Sequence, residues 1–166
     1  MLKDTLLPEF DQEMAATRQV LERLPERAFG WRPHPVSYDL GELATHIAQV
    51  PHWGLSILTR EVHDLTAATA GPRRPALATV AAVIARFDAN VQDLRARLVE
   101  MADAELLVPW ALKRGSHLIL SIPRIAALRR FVVHHVIHHR GQLTVYLRQH
   151  DVPLPPLYGP TADEPM

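Results

Sequence analysis

Four of the chain's ten histidines fall within six residues, at His134, His135, His138 and His139. Neutral imidazole is a common metal ligand. On a helix, two ligands at i and i+4 project about one turn apart on the same face. The cluster offers two such pairs, His134 with His138 and His135 with His139. Stepping ~100° per residue gathers Ile125, Leu128, Val132, Val136, Leu143, Tyr146 and Leu147 into one sector. His135 and His139 fall within or beside that sector, and His134 and His138 to one side of it. The inward pair is therefore His135 and His139.

Two imidazoles leave most of a zinc-like ion's coordination to water, so a third ligand is required. His46 is the candidate, on a second helical segment and in line with Leu43, Val50, Trp53 and Ile57. His52 points from the opposite face of that segment. His34, His63, His117 and His150 lie in connectors or at helix ends, where a histidine is ordinarily a solvated polar residue. A histidine on an apolar face can equally be a core residue hydrogen-bonded to a neighbour, and for His46 by itself that alternative stands. Two inward imidazoles one turn apart are costly to bury without a common partner.

Other chemistry finds no support. Glu-x-x-His is absent, which excludes the ferritin-like di-iron arrangement, and so are H-E-x-x-H, the Walker loop, G-x-G-x-x-G and G-x-S-x-G. The dipeptides His63-Asp64 and His150-Asp151 lack the further ligands of a phosphohydrolase and read as accidental. Arg129, Arg130, Arg140 and Arg148 could bind an anion but read as a solvated face with acidic partners. The 166 residues carry 18 Lys+Arg against 18 Asp+Glu, a balance that argues against nucleic-acid binding. Without cysteine there is no disulfide, no thiolate zinc finger and no thiol nucleophile of the chain's own. No signal pattern and no run of about eighteen apolar residues occurs. The expectation is a soluble, cytoplasmic protein without membrane contact.

The elements that must position these histidines read as helices. Pro8 to Leu24 has helical spacing, with Pro8 near the start. Pro25 to Val36 is a connector containing Trp31. Asp39 and Glu42 form a capping box that starts a second helix near Leu40, which Pro51 should kink. Ala70 to Pro75 reads as a loop and Ala76 to Met101 as a third helix. Asp103 to Leu120 has no clear period and reads as a partly structured crossover. Ser121 can cap a fourth helix, with Pro123 in its first turn, reaching about His150. The tail, 153–166, holds five prolines and should lie extended over the rest. These segments, without convincing strand alternation, predict one all-α domain spanning 1–166, a helix bundle whose connectivity stays open.

The run His134-His135-Val136-Ile137-His138-His139-Arg140-Gly141-Gln142-Leu143, continuing through Tyr146-Leu147-Arg148 to Pro156-Leu157-Tyr158-Gly159-Pro160, resembles the C-terminal signature of the DinB-like family. Trp31-Arg32-Pro33-His34-Pro35 followed by Leu40-Gly41-Glu42-Leu43-Ala44-Thr45-His46 is similar to its second-helix signature. The resemblance spans essentially the whole chain. It implies a four-helix bundle of the DinB/YfiT kind with a three-histidine site for a divalent metal, whose ligands here are His46, His135 and His139. His138, Arg140 and Gln142 occupy flanking motif positions, and Gly141 is expected to let another helix approach closely. The family's name implies no DNA chemistry. Its members with assigned activities include thiol-dependent S-transferases and a mycothiol-dependent maleylpyruvate isomerase.

Three neutral imidazoles leave a coordination position open, as in catalytic rather than structural zinc sites. The leading expectation is a metal-dependent transferase that activates a low-molecular-weight thiol for attack on a small-molecule electrophile. A metal-dependent hydrolase is a second option, without an assured general base. A non-catalytic, metal-stabilised, stress-related binding module is the competing class. Zinc and nickel lead as the ion, with iron and copper also compatible with imidazole. A homodimer is the commonest symmetric assembly.

Overall fold

The computed structural model describes residues 1–68 and 75–165. The expected loop at 70–75 thus lies outside the described residues except for Pro75. The long helices are α1 (Leu2–Leu21), α2 (Leu40–Thr59) and, later in the chain, α4 (Val80–Glu100). Between them come β1 (Val62–Asp64) and the short α3 (Leu65–Ala68). There follow α5 (Asp103–Leu107), β2 (Pro109–Arg114), β3 (His117–Pro123), α6 (Arg124–Leu128), a π-helical turn (Arg129–Val133) and α7 (His134–Arg148).

Local chemistry accounts for each boundary. Pro8 lies inside α1 rather than near its start, because the helix begins at Leu2. Asp103 makes that earlier start possible: its carboxylate accepts from the amides of Leu2, at 2.8 Å, and Lys3, at 3.3 Å. An anion is well placed against those otherwise orphaned donors. The Asp39–Glu42 capping box forms as expected, with Glu42 N donating to Asp39 Oδ1 at 2.7 Å and Asp39 N donating to Glu42 Oε2 at 2.9 Å. Thr79 caps α4, whose buried stripe is Val83, Phe87, Asn90, Leu94 and Leu98. Asn90 avoids an unpaired amide by donating to the Ala48 carbonyl at 2.8 Å.

The all-α expectation is corrected by a three-stranded sheet, in the order β1-β2-β3. β1 runs parallel to β2 and β2 antiparallel to β3. The presumed crossover is thus α5 followed by a hairpin, with Gly115 at φ 59° in its tight turn. Ser121 caps nothing: it pairs with Ala111 inside β3, and the helix starts only after Pro123. Strand alternation exists on β2, where Trp110 and Leu112 are buried between more exposed neighbours. On β3 it is blurred by the exposed Leu118 and Ile119. The expected fourth helix is therefore α6, the π turn and α7 in series.

The hydrophobic core joins α1, α2, α4 and α7, with Trp110 and Leu112 of the sheet completing it. At Gly54 on α2 the fit is tightest, since a Cβ there would come within 2.4 Å of Leu94 Cδ2 on α4. Gly54→Ala is accordingly expected to destabilise the protein by about 1–3 kcal/mol, the usual range for overpacking, read from the urea unfolding midpoint. Gly141 is the contrasting case: a Cβ there meets nothing within 4 Å. The expected close approach belongs to Gly54.

Among the described residues, no helix is long and apolar enough to cross a membrane. The described residues of the Pro-rich tail, 153–165, form neither helix nor strand and are held by side chains. Asp163 pairs with Arg148 at 2.5 Å and Glu164 with Arg23 at 2.7 Å. The Tyr158 hydroxyl donates to Glu13 Oε2 at 2.6 Å.

Candidate metal centre

His46 comes from the second turn of α2, and His135 and His139 from the first turns of α7. His46 Nε2 stands 3.2 Å from His135 Nε2, which stands 2.8 Å from His139 Nε2. One ring nitrogen of each lies within 4.8 Å of those of the other two. All three rings are half-buried, whereas His134 and His138 are exposed. Within α7 the division follows from the neighbours: Val136, Leu143 and Leu147 fix the buried face, and His135 and His139 flank it.

The other expectations divide. His52 is exposed, as are His34 and His117, the latter on β3. His63 and His150 are not solvated residues. His63 sits on β1 with Nδ1 3.2 Å from Ser56 Oγ and its ring against Trp53, and burial pushes its pKa down. His150 packs edge-on against Trp31. Nε2 of both is buried without a hydrogen-bond partner among the described residues. Their aromatic neighbours lie on other elements, Trp53 of α2 and Trp110 of β2 for His63 and Trp31 of the connector for His150, so no period along their own segments announces them.

The remaining ring nitrogens define what the centre can do. His139 Nδ1 lies 2.7 Å from Gln142 Oε1, an oxygen that only accepts, so the proton sits on Nδ1 and Nε2 presents a lone pair. For His135 the nearby Phe131 backbone favours the protonated form. Burial outweighs this and lowers the pKa of both His135 and His139. The two Nε2 atoms stand 2.8 Å apart, a spacing bridged either by a proton shared in an N–H···N hydrogen bond or by a cation that both lone pairs bind. Nitrogens bound to a tetrahedral zinc at ~2.0–2.1 Å stand ~3.3 Å apart, close to the 3.2 Å between His46 and His135. The donor set fits a divalent ion, and the group could hold one.

Two cavities of opposite character meet the centre. One, of about 530 Å³, is lined by Arg32, Ser37, Tyr38, Glu42, His139 and Gln142 among others. The other, of about 220 Å³, is lined by His46, Gln49, Val50, Trp53, Phe131 and His135. The polar cavity exists because the connector before α2 is fixed in place. Trp31 and Phe29 carbonyls accept from Leu40 and Gly41, each at 2.9 Å, and Trp31 packs edge-on against Tyr146 of α7. Tyr38 stacks on His46, with ring centroids 5.7 Å apart. The role of this connector was not legible from its proline-rich composition.

The flanking motif positions also resolve. Gln142 orients His139, and His138 packs its ring edge-on against that of His139. Arg140 is no part of a solvated face. It is 1% exposed and ion-paired to Glu13 Oε2 at 2.6 Å. Arg129 and Arg148 do have the surface acidic partners expected, Glu9 and Asp163.

A mostly helical fold with a small sheet and three converging imidazoles defines a class of helical proteins with a candidate metal centre. Residues 1–165 match the DinB family, and the chain belongs to it. It is 27% identical over 168 residues to the uncharacterised protein YrdA of Bacillus subtilis, covering 97% of this chain and 90% of that one. Two crystal structures share the fold. A DinB-like protein of Bacillus cereus superposes with TM-score 0.72 at 20% identity, covering 92% of this chain and 95% of the other. The DinB-like YjoA of Bacillus subtilis gives 0.67 at 18% identity, with 91% and 95% covered.

Proposed function

We propose that His46, His135 and His139 hold one divalent ion, zinc or nickel foremost, in a metal-dependent enzyme that transfers a low-molecular-weight thiol to a small electrophile. The observation that carries the metal assignment is the convergence of one ring nitrogen from each of His46, His135 and His139 within 4.8 Å of one another, with His139 Nδ1 already engaged by Gln142 Oε1. When bound, the ion supplies a Lewis acid that lowers the pKa of a thiol. The chain's own residues do the rest. Gln142 holds the His139 ring in the tautomer that offers Nε2. Tyr38 fixes His46 by stacking, and the polar cavity lined by Arg32 and Gln142 takes the hydrophilic cosubstrate.

In the reaction the thiol loses its proton to solvent and its sulfur forms a bond to the electrophilic carbon. The leaving group departs with its electron pair. A thiol from outside suits a chain that has no cysteine. Transfer is favoured over hydrolysis by Glu42, the carboxylate facing the polar cavity. Its Oε2 already accepts from the Asp39 amide at 2.9 Å and lies 3.8 Å from Arg32, which leaves it a poor general base. One domain spanning 1–166, a cytoplasmic setting and a homodimer belong to the same proposal.

The test is the metal content of untagged protein purified without a nickel column, measured by elemental mass spectrometry beside His46→Ala. One equivalent in the wild type, lost in the variant, is expected. Acidification supplies a second prediction. Because burial lowers the pKa of His135 and His139 below the ordinary ~6.5, protons compete only weakly with metal at neutrality. Metal should be retained from pH 8 down to ~6.5 and lost toward ~5. Without metal the sign is the same. The unfolded chain binds more protons below ~6.5, so stability is full above that value and falls as pH drops through the folded pKa values. Metal affinity that is flat from pH 8 to 5 would exclude histidine ligation.

A further inference from the structure

The smaller cavity differs from its neighbour in nearly every respect that selects a ligand. At about 220 Å³ it is less than half the size of the polar one. Its walls are the rings of Trp53 and Phe131, with centroids 6.1 Å apart at 62°, and the buried Val50. Among the described residues, no carboxylate, ammonium or guanidinium lines it. Its polar groups are the Gln49 amide and the imidazoles of His46 and His135.

Size and wall chemistry together restrict the occupant. A dry apolar cavity of ~150 Å³ already accommodates benzene, so this one has room for a single aromatic ring with a short substituent. Trp and Phe faces tilted to each other offer a guest ring edge-to-face and offset contacts. A charged or polyhydroxylated molecule would leave its polar groups unpaired there, whereas the polar cavity beside His139 suits such a molecule.

We propose that the chamber walled by Val50, Trp53 and Phe131 binds a compact single-ring aromatic group. Resting on the reading of the centre as that of a transferase, this ring belongs to the electrophilic substrate, brought to His46 and His135 from the side opposite the hydrophilic cosubstrate. The three histidines thus form the partition between a polar and an apolar chamber, and each reactant is selected by its own side. Trp53 and Phe131 set the specificity for the apolar one.

The experiment uses fluorobenzene as the probe, because it has no metal-binding atom, with trifluoroethanol as the polar control. Binding to the full chain is followed by ¹⁹F line broadening, with and without added zinc. Fluorobenzene is expected to bind, and trifluoroethanol not to. Trp53→Ala, which removes one wall, should weaken fluorobenzene about tenfold, the equivalent of one aromatic pair. Gln49→Phe, at a half-buried position, should fill the chamber and abolish binding. His134→Ala, at an exposed position of α7 outside both cavities, should leave it unchanged. Circular dichroism verifies folding, and Gln49→Phe decides the matter should Trp53→Ala fail to fold. Fluorobenzene that binds no better than trifluoroethanol, or equally to wild type and Gln49→Phe, overturns the proposal. Stoichiometric metal with no fluorobenzene binding defeats this inference alone. Fluorobenzene binding with the expected variant pattern in protein that never takes up metal supports the chamber and defeats the metal reading.

Discussion

Arg140→Ala is expected to cost about 3–5 kcal/mol of folding stability, the range for removing one partner of a buried ion pair. The guanidinium is 1% exposed and all its contacts are internal. Besides Glu13 Oε2 at 2.6 Å, it donates to the Glu13 carbonyl at 3.0 Å, to Thr17 Oγ1 at 3.2 Å and to the Tyr158 hydroxyl. It therefore ties α7 to α1 and to the tail at once. Truncation leaves the Glu13 carboxylate buried with only Tyr158 beside it. Urea unfolding should show a large fall in midpoint for Arg140→Ala and a much smaller one for Arg148→Ala, whose pair with Asp163 is solvent-exposed. Replacing the pair together, as Arg140→Met with Glu13→Leu, should recover much of the loss, because no charge then remains unpaired. Equal costs for Arg140→Ala and Arg148→Ala would show that the buried network does not carry the fold.

Arg140 also marks where the sequence stops being informative. A charged residue in a histidine-rich helix gives no local sign of burial, since its partners Glu13 and Thr17 lie more than a hundred residues earlier. Signals confined to one helix were legible. Asp39 and Glu42 fixed the start of α2 because both members of a capping box lie within a single turn. The faces of α7 were legible because Val136, Leu143 and Leu147 are in phase with the histidines over an uninterrupted stretch. The π turn at Arg129–Val133 interrupts the regular stepping from Ile125 and Leu128, but Val136, Leu143 and Leu147 lie beyond it and by themselves fix the phase of His135 and His139. It did conceal that α6 and α7 are not one regular helix.

The sheet was hidden for a different reason. β1 has three residues and pairs in parallel with a strand almost fifty positions later. Neither its length nor its partner leaves a local pattern. β3 exposes Leu118 and Ile119 consecutively, which spoils the alternation that would identify a strand, because the register shift opposite Leu112/Lys113 leaves Ile119 as an extra residue in β3. The consequence for the centre is limited, because the sheet packs Trp110 against Phe131 and Trp53 against His63 rather than supplying a histidine to the group. The smaller cavity, by contrast, is walled by Trp53 and Phe131, which those aromatic contacts hold. Its character could only be read once the chain was folded.

The largest functional effects are expected within the histidine cluster itself, where alanine substitution at four nearly adjacent positions should give two opposite results. His135→Ala and His139→Ala each remove an Nε2 from the convergent group and should abolish stoichiometric metal binding. His134→Ala and His138→Ala remove exposed rings and should leave stoichiometry unchanged, although His138 packs against His139 and its loss can loosen that ring. Gln142→Leu should fall between the two classes. It keeps all three ligands but frees His139 Nδ1, and the loss of such an orienting partner typically weakens metal affinity by ~10–100-fold. Competition with a coloured zinc chelator at pH 7.5 measures all five variants on one scale, with thermal unfolding of the metal-free proteins as the control for folding. Equal losses at His134, His135, His138 and His139 would mean that the ion is held by the tract as a flexible chelator. A loss graded as described, with Gln142→Leu intermediate, ties affinity to the orientation of α7 against α2 rather than to the number of histidines.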